Sequence, residues 1–171
     1  GALAVNLEFD VPAELDDLPR LGWFLTLPAG FETFRYFGNG PQENYCDRSA
    51  GSFVSRFEGS VTEQYVPYIL PQECGNHTAV RWASGDDGRN GMLAVAPALM
   101  ECSAHHFTPA DFLNALHTNE LEPRAETFFN LDLAQRGLGT ATCGEDALPC
   151  YRIHSGVHRF HLWLMPFAAT E

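Results

Sequence analysis

The chain lacks lysine altogether: its ten basic residues are all arginine, set against 22 acidic residues for a formal net charge of −12. A phosphate backbone or an anionic bilayer meets repulsion over most of such a surface, so neither nucleic acid nor membrane is an expected partner. No apolar run approaches the ~20 residues that a membrane-crossing helix needs. The N-terminus has no basic region followed by a hydrophobic stretch, so the expectation is a soluble, cytoplasmic protein without an export signal. Cysteine is scarce and unpatterned. Cys46, Cys74, Cys102, Cys143 and Cys150 make an odd count with no C-x-x-C pair, which excludes a disulfide scaffold and a zinc ribbon and points to reduced thiols. Internal repeats and low-complexity segments are absent as well.

What is present is a core-forming composition: 171 residues, 45% hydrophobic, enough for one sizeable core and short for two, so 1–171 reads as a single domain. Residues 3–10 alternate, with Leu3, Val5, Leu7 and Phe9 opposed by Asn6, Glu8 and Asp10, the period of a half-buried strand. Leu21, Trp23, Leu25 and Leu27 repeat the pattern, and Phe31 to Phe37 reads as a third strand, aromatic on both faces. Residues 49–75, broken by Gly51, Gly59, Pro67, Pro71 and Gly75, read as an ordered long loop. Thr78–Ala83 and Met92–Ala96 flank the turn residues 85–91 as a hairpin, followed by a further strand, Leu99–Phe107.

One short helix is expected, about Pro109 to His117, with Thr108 as cap, Pro109 at the first position and Phe112, Leu113 and Leu116 as its apolar face. Thr127–Leu133, Tyr151–Ile153 and the alternation of Phe160, Leu162 and Leu164 complete the strands. Eight or more short strands and one helix give an all-β fold, an antiparallel β-sandwich. Its core is expected to gather Leu21, Trp23, Leu25, Phe129, Leu131, Phe160, Leu162 and Leu164.

Two glycine-bearing stretches stand out. In Gly38-Asn39-Gly40-Pro41-Gln42-Glu43-Asn44-Tyr45-Cys46-Asp47-Arg48, the glycines, Pro41 and the Asn and Asp side chains favour a rigid, self-bonded loop. That is a structural reading; Glu43, Tyr45, Asp47 and Arg48 together also offer a polar lining for a ligand. The second stretch, Arg136 to Cys150, carries G-x-G but no basic residue after its glycines, so it is not a phosphate cradle. His105 and His106 are adjacent on a strand and face opposite ways, and His154, His158 and His161 span a turn, so no metal is expected. Cys143 has no obvious activator beside it, which argues against a nucleophile.

The first stretch resembles the G-x-G-P-x-E-N-Y-x-D-R signature, and the second Q-x-G-x-G-x-x-x-C-G-x-x-x-L-P-x-Y, both of the C-terminal β domain of bacterial family-two β-galactosidases. Leu18-Pro19-Arg20, Pro71 to Asn76, Val80-Arg81-Trp82 and Phe107-Thr108-Pro109 match in the same order, so the resemblance runs from about residue 18 to 165. It implies a galactose-mutarotase-like supersandwich that supports a catalytic barrel and lends one loop, 140–146, to the wall of the sugar pocket through Thr142, Cys143 and Gly144. Some relatives place a tryptophan at this tip; here Cys143-Gly144 leaves a wider pocket.

The same resemblance implies a retaining enzyme acting on terminal β-D-galactosides such as lactose, with its two catalytic glutamates outside this chain. No catalytic residue and no cofactor is then expected here, Mg and Na being held in other domains of the parent. The partners are the remaining parent domains, a galactoside through one loop, and further copies in a homo-oligomer. Two other classes stay open: a free-standing carbohydrate-binding sandwich, which needs an exposed aromatic platform, and a mutarotase-like enzyme, which needs a histidine and a carboxylate in one cleft.

Overall fold

A computed structural model describes residues 1–141 and 143–169. In chain order it forms β1 (Leu3–Val11), β2 (Arg20–Leu27), β3 (Thr33–Gly40), β4 (Phe53–Ser60), β5 (His77–Asp86), β6 (Asn90–His105), the helix α1 (Pro109–Asn114), β7 (Thr127–Gln135) and β8 (Gly156–Ala168). Every pairing among these strands is antiparallel. The order is β1-β8-β6-β5-β3-β4, with β7 pairing both β6 and β2.

β6 organises both layers of the sandwich. β5 runs along both its halves, while β8 pairs with the first half and β7 with the second. The sequence splits this strand in two because Pro97 lacks an N–H to give a ladder; the chain instead stays extended through Pro97 while the register with β5 shifts between Val80 and Trp82. Phe34, Tyr36, Val80, Ala83, Ala94, Met100, Phe129, Leu131, Phe160, Leu162 and Leu164 close into one core. Phe34 is its hub, edge-on to Phe129 and stacked on Tyr36 with centroids 5.5 and 5.4 Å away.

Several expectations need correcting. Residues 53–60 are a strand, not loop: Phe53, Ser55 and Phe57 alternate with Val54, Arg56 and Glu58, and β3 supplies the missing partner. Of the larger side chains on β3, Phe34 and Tyr36 are buried, while Arg35 and Phe37 lie on the outer face. Leu21 packs in a small separate cluster with Val11 and Ile153, and Trp23 and Leu25 are only partly buried against the main core. The helix ends at Asn114; within it Phe112 alone is buried, Leu113 sits on its outward side, and Leu116, beyond its end, is exposed. Residues 149–151 make a 3-10 turn rather than a strand, and Ile153 bridges to Leu18.

The helix cap is as read: Thr108 and Asp111 satisfy each other's backbone amides in a reciprocal box. At Gly22 a Cβ would lie 2.1 Å from Asp132 Oδ1, so only glycine lets β2 and β7 approach at the bulge between Leu21 and Gly22.

Replacing Phe129 by Ala removes a ring from the centre of this core and is expected to cost about 3–5 kcal/mol. Urea denaturation should show a lowered midpoint with an unchanged slope.

Candidate functional site

The loops 38–48 and 136–146 are about ninety residues apart in sequence, and the fold joins them. The first is built around Asn44, which is fully buried. Its Nδ2 donates to the carbonyls of Asn39 and Gln42, both at 3.0 Å, and its Oδ1 accepts from Thr78 N at 2.8 Å and Thr78 Oγ1 at 2.6 Å. Its backbone N–H donates to the Asn76 carbonyl at 2.7 Å. With every polar group matched, Asn44 ties the exit of β3 to the entry of β5.

Asp47 makes the join between the loops. Its two oxygens accept the backbone N–H groups of Leu138 at 3.1 Å and Gly139 at 2.8 Å. Cys46 Sγ points at the Gln135 carbonyl, 3.6 Å away, and the Gly137 N–H donates to the Tyr151 carbonyl at 2.8 Å. Gly137 must be glycine, since a Cβ there would lie 2.7 Å from the Asp47 carboxyl carbon. The far side of the second loop is clamped by Arg136, whose guanidinium forks onto Asp17 and also reaches Asp146 at 2.9 Å.

Held in this way, residues 140–146 fold on themselves. Thr140 donates from its backbone and its hydroxyl to the Glu145 carbonyl, at 3.0 and 2.8 Å, and Cys143 N donates to the Thr140 carbonyl at 3.0 Å. Cys143 and Gly144 are exposed at the tip; Thr142 lies outside the described residues.

Glu43 accepts from the Tyr68 hydroxyl, from Arg48 Nη2 and from the Gly75 N–H at 2.7 Å, so internal bonds occupy its carboxylate. The Tyr45 ring is wholly buried, and burial beside Glu73 and Glu43 drives its hydroxyl far above the usual phenol range. Arg48 stacks over that ring at 5.1 Å and stays half exposed. Around these residues open two clefts, one of about 780 Å³ bordered by Glu43, Arg48, Tyr68 and His77, the other of about 390 Å³ bordered by Asp47, Thr140, Asp146 and Tyr151. Arg48 and Asp47 line both. The four polar residues of the first loop therefore meet in space, and three of them spend their polar atoms or bulk inside the fold.

Beneath the loops lies a buried charged cluster that the sequence reading did not assemble. Arg20 Nε sits 2.9 Å from Asp132 Oδ2, and its Nη2 reaches Glu73 and Gln135, each at 3.1 Å. Asn76 Nδ2 donates to Glu101 Oε2 at 2.6 Å, and the Gln135 N–H points to the other Glu101 oxygen. One guanidinium thus faces three carboxylates. Burial outweighs its attraction at Asp132, whose carboxyl is pushed up to about 7, and raises Glu101 as well. Arg20 and Glu73 fall in matched motifs, so a signal existed for them; Asp132 looks like any outward residue of an alternating strand until β2 and β6 cover it from both sides.

His105 is buried with Nε2 2.8 Å from the Cys74 carbonyl, and His106 is bonded to Glu32, as expected of neighbours facing opposite ways. All five cysteines are free thiols. Among the described residues no three His, Cys, Asp or Glu side chains are grouped to hold a metal ion. Among the described residues no helix is long and apolar enough to cross a membrane. Chemically, the arrangement is a rigid polar wall whose carboxylates are committed to holding backbone.

The family model described as beta galactosidase small chain matches residues 1–164. A curated beta-galactosidase of Staphylococcus xylosus is 29% identical over 155 residues, covering 91% of this chain and 16% of that protein. Those of Priestia megaterium and Streptococcus thermophilus are 35% and 33% identical over 141 residues, each covering 81% of this chain and 14% of the relative. The chain thus spans about one-seventh of the length of the curated relatives it matches.

Asp132 gives a pH test. Its folded-state pKa is raised, so between about 4 and 7 the native state holds a proton that the unfolded chain has released, and this contribution to stability falls as pH rises. Buried His77, lowered to about 4, and His105 act in the opposite sense, so the effect is isolated by difference. The stability of the wild type relative to Asp132→Asn should be greatest near pH 4 and decline toward pH 8, by at most about 1.4 kcal/mol per pH unit. Chemical denaturation of both proteins across that range measures it.

Proposed function

Because the chain belongs to the beta galactosidase small chain family, we propose that it is a single β domain, the C-terminal one, of a cytoplasmic glycoside hydrolase family two β-galactosidase. In this reading the parent enzyme hydrolyses terminal β-D-galactosides such as lactose with retention, using glutamates, Mg and Na held outside this chain. The domain supports the catalytic barrel, and the tip of the 140–146 loop, with Thr142, Cys143 and Gly144, forms part of the sugar-pocket wall. The parent works as a homo-oligomer.

The observation that carries this reading is the bond between the two loops. Asp47 accepts the amides of Leu138 and Gly139, and Arg136 clamps the other side, so an exposed turn with no catalytic group of its own is nevertheless fixed in place. A wall needs that fixity, and a nucleophile would need an activated group. Replacing Cys143 by Ser in the full-length enzyme should shift KM or product inhibition by a modest factor, on the order of 1 kcal/mol or less, with kcat retained. Loss of kcat with the fold intact would move the loop to the reaction centre.

One observation favours a second reading, that of a carbohydrate-binding sandwich. The strand registers place Phe37, Trp82, Val95 and Trp163 in one cross-strand row on the outer face of the sheet, with Trp163 41% exposed. The 171-residue chain alone separates the two. It is expected to give no turnover of an aryl β-galactoside and no change in tryptophan fluorescence on titration with lactose; saturable quenching would favour the second reading, and turnover by the purified chain would overturn both.

A further inference from the structure

β4 is a terminal strand. It pairs with β3 on one side, and no strand among the described residues covers the other. Its backbone donors and acceptors along that side are a template for another strand. What distinguishes this edge is its sequence, Phe53-Val54-Ser55-Arg56-Phe57-Glu58-Gly59-Ser60, which carries one cation and one anion symmetrically about Phe57. Both are exposed on the same face, and Glu58 already binds Arg35 Nε at 2.8 Å while Arg56 has no ion-pair partner among the described residues.

We infer that β4 is the contact through which two copies of this chain form a closed two-fold dimer, Phe57 lying opposite Phe57 of the second copy. A two-fold axis perpendicular to the sheet keeps like faces together, so residues opposite one another belong to the same face. In the register centred on Phe57, Arg56 of each copy lies opposite Glu58 of the other, giving two cross-strand ion pairs at Cβ separations of roughly 4.5–5.5 Å. The neighbouring two-fold registers, centred on Arg56 or on Glu58, set like charges against each other and are disfavoured. On the opposite face Phe57 meets its own counterpart, and the 59% exposed Phe53, its ring 5.6 Å from that of Phe57, lies at the outer end of the paired strands.

Two other strands, β2 and β1, also pair on one side only among the described residues, and neither offers this: β2 carries Arg20 and no acidic residue, so it has no ion pair to form with its own copy. β1 differs in another way. Its polar face carries Asn6, Glu8 and Asp10 and no basic residue, so pairing with its own copy forms no ion pair: the register centred on Leu7 sets Glu8 against Asn6, and those centred on Glu8 or Phe9 set carboxylates against each other. Pairing of β4 with the β1 edge of another copy leaves free edges at both ends and grows an open filament rather than a closed dimer. The proposal concerns the chain itself and stands apart from the assignment of its parent.

Sedimentation velocity of the 171-residue chain over a wide concentration range should show a monomer–dimer equilibrium. Arg56→Glu alone and Glu58→Lys alone each place like charges in both pairs, and each should weaken dimerisation about tenfold or more. An equimolar mixture of the two variants should associate again, because the carboxylates of one chain then face the cations of the other. Circular dichroism confirms that each variant keeps its β fold, and a variant that does not fold is replaced by Arg56→Gln or Glu58→Gln, each expected to weaken the dimer less. A wild-type chain that stays monomeric, variants that dimerise like wild type, an unassociated mixture, or concentration-dependent growth beyond dimer would each overturn the proposal.

Discussion

The buried side chain of Asn44 is the constraint on which the surface described here depends. A primary amide has two donors and two strong acceptor positions, and all four are matched within a short reach of β3 and β5. A valine or leucine of similar bulk would fill the space and leave the Asn39 and Gln42 carbonyls and the Thr78 N–H without partners in an interior site. Because Asn44 fixes the loop, Asp47 arrives where the amides of Leu138 and Gly139 point, and the second loop inherits its position from the first.

The charged cluster under the loops obeys a different logic. Arg20, Glu73, Glu101 and Asp132 come from four separate segments, the start of β2, the loop before β5, and the interiors of β6 and β7, and their mutual attraction is strong only because water is largely excluded. Burial outweighs the attraction of the one guanidinium at Asp132 and raises Glu101 too, so Asp132 keeps its proton at pH values where surface carboxylates are ionised. Such a cluster gives the loops above it a defined seat more than it adds stability.

Much of the fold was legible because alternation of apolar and polar residues is a local signal. Val5, Leu7 and Phe9, or Phe160, Leu162 and Leu164, announce strands with no knowledge of their partners. What was illegible depended on partners. β4 is short, glycine-flanked and only half apolar, and β3 makes it a strand. Pro97 looked like a boundary, and the register shift on β5 absorbs it. For the site, the two motif loops could be named from their residues, yet nothing local says that Asp47 reaches Gly139 or that Asp132 is sealed beneath Gly22; those are consequences of how distant strands stack.

The order of strands in the sheet also governs how the chain can be made. β8, the last strand, lies between β1, the first, and β6, with Leu3 opposite Leu164 and Val95 opposite Trp163. A ribosome delivering this chain therefore releases β1 long before β8, its partner among the described residues, exists, and the apolar side of that strand must wait for it while nearly all the residues between them are translated. Closing so wide a loop is a slow, late event. During synthesis, the waiting β1 strand exposes Val5, Leu7 and Phe9 along an unpaired edge, the kind of surface that makes incomplete chains prone to aggregate.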